Sequence, residues 1–124
     1  MKLRAYTPDD YMKIVGRAIE KAVNKSCLII FFGSILTDKF SRTSDIDVGV
    51  FCGAPLTPKE YVSVLEEIEK APILREVDLV DLAKVDDERF LSSILERGKI
   101  WKSSRDLFQS WRDLKENEIP HFWC

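Results

Sequence analysis

Two short polar segments stand at the ends of apolar runs in this chain of 124 residues. Gly33-Ser34 follows the apolar run 27–32, and Asp45 and Asp47 open a second apolar run after a ten-residue spacer. A Gly-Ser turn lets backbone amides approach an anion, while carboxylates two apart on a strand share one side and bind a hard cation. The two segments therefore predict a phosphate-binding turn beside a divalent-metal site, an arrangement suited to chemistry on a nucleoside triphosphate.

A third carboxylate is available in a later apolar run, at residues 74–82. If the apolar residues of this run face a core, Glu76 and Asp78 face the other side of the strand. Asp78 is the better candidate because a carboxylate flanked by apolar residues in mid-strand suggests a specific role. It could instead pair with Arg75 or a lysine. Asp81 has the opposite parity and is predicted to be a loop-side or capping acid.

Helices and strands alternate along the chain, which predicts an α/β or α+β domain with one layer of sheet. No repeat or linker divides it; we place the main domain at 1–103 and a C-terminal helix and tail at 104–124. The predicted strands are 26–32, 45–52, 74–82 and 99–102. Helices are predicted from Thr7 to about 24, at 34–39, from Thr57 onward, from Asp86 or Asp87 to Gly98, and after Ser103-Ser104.

The composition, 45% hydrophobic and 32% charged, is that of a globular protein. A net charge of −2 gives no global basic field, which disfavours nucleic acid as a partner. No apolar run has the length of a membrane span, so a cytoplasmic protein is expected. Cys27 and Cys52 are expected to be buried free thiols and Cys124 a terminal one, with neither a disulfide framework nor a zinc site.

The segment after Ser103 has two interpretations. Leu107, Phe108 and Trp111 recur at helical spacing, so this helix either packs on its own sheet or presents a surface to a partner or a second copy. His121, the single histidine, lies in the tail without other candidate ligands and is not expected to be catalytic.

Together these motifs resemble the nucleotidyltransferase superfamily related to DNA polymerase beta, over about residues 10–102. Its signature is Gly-Ser, a spacer, Asp-x-Asp and a third acid on a later strand. The layout is most similar to the minimal nucleotidyltransferases, and the ten-residue spacer to those that act as antitoxins beside a HEPN-domain toxin. The matching residues are Gly33, Ser34, Ser44, Asp45, Asp47 and Asp78.

The resemblance implies a single mixed sheet with helices packed on it and a set of roles. Gly33, Ser34 and Ser44 would bind the nucleotide, and Asp45, Asp47 and Asp78 would be both catalytic residues and ligands of two magnesium ions. The reaction implied is transfer of AMP from ATP to an acceptor hydroxyl, with release of pyrophosphate. In the antitoxin members the acceptor is a tyrosine of the HEPN toxin.

One departure from the family leaves alternatives open. Many members carry Arg-Gly shortly after Gly-Ser, where this chain has Thr37-Asp38. Lys39 or Arg42 could supply the missing positive charge, or both could be ordinary solvated loop residues. The alternatives to an active transferase are a catalytically weak module that neutralises a partner by covering it and, less well supported, a magnesium-dependent phosphatase.

Overall fold

The computed structural model describes residues 6–102 and 105–118. Within them the chain forms four α-helices, four strands and a short 3₁₀ turn at Gly33–Leu36. The helices are α1 Pro8–Ala22, α2 Pro58–Lys70, α3 Glu88–Arg97 and α4 Arg105–Glu118. The strands are β1 Leu28–Phe32, β2 Ile46–Phe51, β3 Val77–Asp81 and β4 Lys99–Lys102.

The helices begin where the polar residues before them predict. Thr7 and Thr57 each form a capping box, with Asp10 and Glu60 respectively, and each is followed by proline. Asp87, and not Asp86, caps α3 by accepting a hydrogen bond from the amide of Phe90. These caps satisfy backbone amides that the first turn of a helix leaves without partners. The predicted cap of α4, Ser103-Ser104, lies outside the described residues.

The four strands form one mixed sheet in the order β3-β2-β1-β4, which confirms the predicted fold class. β1 pairs antiparallel with β2 and with β4, whereas β2 and β3 are parallel. β2 is therefore an interior strand, hydrogen-bonded to β1 on one side and to β3 on the other. The two polar segments of the sequence meet here, because Phe32, directly before Gly33, lies opposite Asp47.

Both faces of the sheet are covered by helices, so the domain has two apolar layers. Alternate residues of β1 and β2 point to opposite faces, as the pleat of a strand requires. One layer packs α1 and α2 on residues such as Phe31 and Val48, and the other packs α3 and α4 on residues such as Ile30 and Phe51. The faces of β2 are those the sequence pattern predicts.

The C-terminal helix packs on its own sheet. Trp111 is only 1% exposed, and its indole N–H donates to the carbonyl of Leu82 at 3.0 Å. One turn later, the buried Lys115 ammonium donates to the carbonyl of Ala83 at 2.8 Å. Of the two interpretations of this helix, the contacts support the first, while the domain boundary at residue 103 stays a prediction. His121 and Cys124 lie outside the described residues.

The expectation of two free thiols is wrong, because Cys27 and Cys52 form a disulfide with a Cα–Cα separation of 4.2 Å. The cause is strand register. Cys27 stands five residues before Phe32 and Cys52 five residues after Asp47, so the Phe32–Asp47 pairing extends to the two cysteines. The disulfide closes the end of the β1–β2 pair opposite the polar segments, and the cysteines no longer support a reducing compartment.

In the part of the chain that the structure describes, no helix is both long and apolar enough to pass through a lipid bilayer.

Replacing Trp111 tests the packing of α4. Trp111→Ala removes a fully buried ring and is expected to lower the free energy of unfolding by about 3–5 kcal/mol. Trp111→Phe keeps most of the ring and loses the hydrogen bond to Leu82, for about 1–2 kcal/mol. Urea unfolding followed by circular dichroism measures both, with the exposed Gln109→Ala on the same helix as control. Equal midpoints for Trp111→Ala and the control would contradict this packing.

Candidate functional site

Two of the three predicted acids are brought together by the parallel pairing of β2 and β3. Asp47 lies directly beside Asp78 in the strand register, and the two carboxyl groups interact electrostatically. Their apolar neighbours Ile46 and Val48 are buried on the opposite face, which fixes the side from which Asp47 projects. The predicted parity of Asp78 is thereby confirmed: it shares a sheet face with Asp47, whereas Val77 packs on the core.

The electrostatics of this pair disfavour two negative charges. Partial burial, the neighbouring Asp78 carboxylate and the charge of Asp45 together raise the pKa of Asp47 from 3.8 to about 6. Burial is the largest of these causes, and the hydrogen bond to Asp78 adds to it. A divalent cation between the two carboxylates would remove this repulsion, so the donor set suits a hard cation.

Gly33 lies against Asp47 of this acid pair. Its φ of 82° lies in the left-handed region, and a Cβ added there would overlap Oδ2 of Asp47. Only glycine therefore fits between the end of β1 and the start of β2 without displacing that carboxylate. The turn therefore lies beside the acid pair, as the sequence predicts, while their joint role in binding stays a prediction.

The turn after Gly33 is closed by the residue at which the chain departs from the resembling family. Thr37 donates from both its amide and its hydroxyl to the carbonyl of Ser34, at 2.9 Å in each case. The same hydroxyl accepts the amide N–H of Lys39 at 3.2 Å. Thr37 thus stabilises the shape of the turn, while Lys39 and Arg42 are exposed loop residues. A phosphate-binding role for Ser34 stays a prediction.

The loop between the turn and β2 is closed by its own hydroxyl groups. Ser44 accepts the amide N–H of Ser41 through its side chain at 3.0 Å, and the amide of Ser44 donates to the carbonyl of Ser41 at 3.2 Å. The predicted nucleotide ligand Ser44 therefore has a structural partner inside the loop. Nucleotide binding by its hydroxyl stays a prediction.

Asp45 and Asp81 differ from the acid pair. Asp45 is exposed just before β2, and its charge reaches Asp47 across the strand start. Asp81 has the capping role that its parity predicts, because its carboxylate accepts the amides of Leu56 at 2.9 Å and Ala83 at 3.1 Å. The structure thus places Asp47 against Gly33 on one side and beside Asp78 on the other, with Asp45 just before β2 and Asp81 bonded elsewhere.

Among residues 6–102 and 105–118, no group of three or more acidic, cysteine or histidine side chains is arranged to hold a metal by itself. The close pair Asp47 and Asp78 nevertheless fits magnesium, which usually binds through one or two carboxylates and completes its shell with water and substrate phosphates. The three-acid, two-ion set implied by the resemblance stays a prediction.

The sequence matches the family described as polymerase beta, nucleotidyltransferase over residues 18–106. The chain belongs to this nucleotidyltransferase family. The match includes the turn, the spacer and all three candidate acids of this nucleotidyltransferase domain. No curated protein sequence matches the chain.

Solved structures share the fold of this nucleotidyltransferase domain. A chain of a toxin–antitoxin crystallised with AMP-PNP superposes with a TM-score of 0.68 at 21% identity, covering 89% of this chain and 85% of its own. A second match is to the complex of a tri-AMPylated HEPN toxin with its MNT antitoxin from Shewanella oneidensis. It has a TM-score of 0.64 and 18% identity, and it covers 93% of this chain and 86% of the other.

A third match is to an MntA–HpeT toxin–antitoxin mutant in which two aspartates, two positions apart, are changed to glutamate. Its TM-score is 0.64 at 19% identity, with 94% of this chain and 87% of the other covered. At these identities the three matches establish the nucleotidyltransferase fold.

Sequence reasoning missed the role of Arg75. The sequence suggests Arg75 only as a partner of Asp78, but its guanidinium donates to the carbonyls of Ser41 and Ser44 in the loop before Asp45. No local signal indicates this contact, since its partners lie more than 30 residues away and are backbone atoms.

Removing one charge of the pair should stabilise the metal-free protein. Asp47→Asn is expected to raise the free energy of unfolding at pH 7.5 by about 1 kcal/mol, after allowance for solvent screening of a half-exposed group. The folded pKa near 6 lies above the ordinary 3.8, so the destabilisation caused by burial and by repulsion is complete above pH 6 and absent below pH 3.8. Urea unfolding at pH 7.5 and pH 4 measures this, and a gain that is equal at both values would contradict it.

The second site prediction concerns the close approach of the turn. Gly33→Ala is expected to lower the free energy of unfolding by about 1–3 kcal/mol, because alanine is strained at this positive φ and its methyl group displaces Asp47. Gly53→Ala is the matched control, since Gly53 also has a positive φ but open space around it. Thermal melts should show the larger loss for Gly33→Ala; equal losses would exclude the contact with Asp47.

Proposed function

We propose that this chain is a magnesium-dependent nucleotidyltransferase that transfers a nucleoside monophosphate, AMP from ATP, to an acceptor hydroxyl. The observation that carries the proposal is the contact of Gly33 with Asp47, which lies beside Asp78, inside a domain of the nucleotidyltransferase family. A carboxylate pair beside a close backbone turn is what in-line transfer of a phosphoryl group requires.

Each residue has a task in this proposal. Gly33 allows the triphosphate to approach the backbone, and Asp45, Asp47 and Asp78 hold magnesium. Bound magnesium would neutralise charge on the phosphates during the reaction. Asp78, exposed at the edge strand β3, accepts the proton of the acceptor hydroxyl. The hydroxyl oxygen bonds to the α-phosphorus while the bond from that phosphorus to the bridging oxygen breaks and pyrophosphate leaves.

The proposed acceptor is a tyrosine of a HEPN-domain protein. Support comes from the structural matches, one of which holds a tri-AMPylated HEPN toxin with an MNT antitoxin and another AMP-PNP.

The test is transfer of label from [α-³²P]ATP to a purified HEPN-domain protein from the adjacent reading frame. Magnesium-dependent labelling with release of pyrophosphate is expected. Asp47→Asn should reduce the rate about 10³-fold, because loss of a metal ligand removes several kcal/mol of charge stabilisation. Asp86→Asn, an exposed aspartate in the loop before α3, is the matched control and should retain the wild-type rate.

No labelling by the wild-type protein, or equal labelling by wild type and Asp47→Asn, would contradict the transferase. Release of orthophosphate in place of pyrophosphate would indicate a phosphatase.

The second candidate function is a binding module that neutralises its partner by covering it. Exposed apolar side chains on α2 and before β3 favour it, with Val62 51% exposed and Leu74 fully exposed. Under this alternative, Asp47→Asn would still neutralise the partner in a growth assay. Loss of neutralisation in Asp47→Asn, with the complex still forming on a sizing column, would exclude it.

A further inference from the structure

The loop that delivers Asp45 and Asp47 is attached to the start of β3 by one side chain, Arg75. The Nη1 atom of Arg75 donates to two carbonyl oxygens of this loop, that of Ser41 and, at 2.9 Å, that of Ser44. The two acceptors close the turn in which Ser44 also bonds to Ser41. Arg75 therefore contacts both ends of the turn immediately before Asp45.

Two aromatic rings hold the guanidinium in place. The central carbon of the Arg75 guanidinium lies 4.0 Å from the ring centroid of Phe40 and 4.6 Å from that of Tyr11. The two rings also meet edge to face, with centroids 5.8 Å apart. A planar cation against aromatic rings is a favourable arrangement that a lysine ammonium does not reproduce. The contact joins α1, the loop and the start of β3.

A backbone hydrogen bond next to Arg75 also joins this loop to the segment before β3. The amide of Ile46 donates to the carbonyl of Glu76 at 2.9 Å, directly after the Arg75 contacts and directly before the Asp47–Asp78 pairing. Arg75 stands three residues before Asp78, and Ser44 three residues before Asp47. Any shift of the loop relative to residues 75–76 therefore reaches both acids.

We propose that Arg75 is a positioning residue that holds the loop before β2 against β3, so that Asp47 and Asp78 are set to bind a divalent cation. The inference rests on the proposed function for the identity of the site and adds a residue to it. In this proposal Arg75 acts through the loop carbonyls, to which Nη1 donates, and direct contact with the phosphates is the alternative that the experiment below separates from it. Residues that orient metal ligands in this way affect metal affinity about 10–100-fold.

The experiment compares Arg75→Ala and Arg75→Lys with Arg17→Ala, which removes an exposed arginine of α1. In metal-free protein, amide hydrogen exchange at Ser44 and Ile46 should accelerate in Arg75→Ala and not in Arg17→Ala. The dissociation constant for Mn²⁺, measured by electron paramagnetic resonance without nucleotide, should rise about 10–100-fold. Millimolar guanidinium should restore part of the affinity in Arg75→Ala, since it can refill the space between the rings.

Arg75→Lys keeps the charge but not the planar group, and it should lie between wild type and Arg75→Ala in both measurements. If Arg75→Ala does not fold, an increased Mn²⁺ dissociation constant in folded Arg75→Lys supports the proposal, and a wild-type value overturns it. A folded Arg75→Ala with unchanged exchange and unchanged Mn²⁺ affinity also overturns it. So does a rise in the KM for ATP with nucleotide-free Mn²⁺ affinity unchanged, because that pattern indicates direct phosphate binding.

The test of Arg75 and the test of the proposed function can fail independently. If the wild-type protein transfers no AMP but Arg75→Ala weakens Mn²⁺ binding with guanidinium rescue, the transferase is wrong and the positioning role stands. If the wild type transfers AMP and Arg75→Ala binds Mn²⁺ normally, the transferase stands and the positioning role is wrong.

Discussion

The parallel pairing of β2 with β3 is the constraint on which the rest of this molecule depends. It sets Asp47 beside Asp78 in a sheet where two negative charges are costly, as the raised pKa of Asp47 shows. The arrangement is stable because the opposite side of β2 is fully buried, with Ile46 and Val48 inaccessible to solvent. A slip of one residue in β2 would move Ile46 and Val48 off this core face and turn Asp47 into it, so the core enforces the register that the site needs. Stability of the core and geometry of the site are thus consequences of one pairing.

The pairing of β2 with β1 on its other edge brings the turn after β1 to the acids. β2 is also antiparallel to β1, and the Phe32–Asp47 pair places the end of β1 against the acids. Gly33 follows at once with a positive φ, and its missing side chain leaves room for the Asp47 carboxylate. A polar group approaching the backbone of this turn consequently approaches the acid pair as well. Two segments separated by ten residues become one site because they occupy the same end of adjacent strands.

How far the sequence predicts this arrangement depends on whether a feature is local. The caps at Thr7 and Thr57 and the parity of Asp78 follow from spacing within one element, and all were predictable. The Cys27–Cys52 disulfide is not predictable from either strand alone, because it depends on the register in which β1 pairs with β2. The strand predicted at 74–82 begins only at Val77, since Leu74 is fully exposed and Arg75 turns to the loop. That turn depends on rings and carbonyls distant in sequence, which no local pattern contains.

Where many family members carry Arg-Gly, this chain has Thr37-Asp38, and Thr37 has a structural role there. In this chain Thr37 does not leave the turn incomplete, because its hydroxyl and amide both bond to Ser34. The acids do not rely on that position, since their placement comes from the β2–β3 pairing and from the contacts of Arg75 with the loop. Any weakening caused by the missing arginine should therefore fall on the phosphate side of the site alone. Under the proposed function, metal affinity and phosphate affinity would then be separable properties, because the first would depend on strand register and the second on a turn that is closed by its own hydroxyl group.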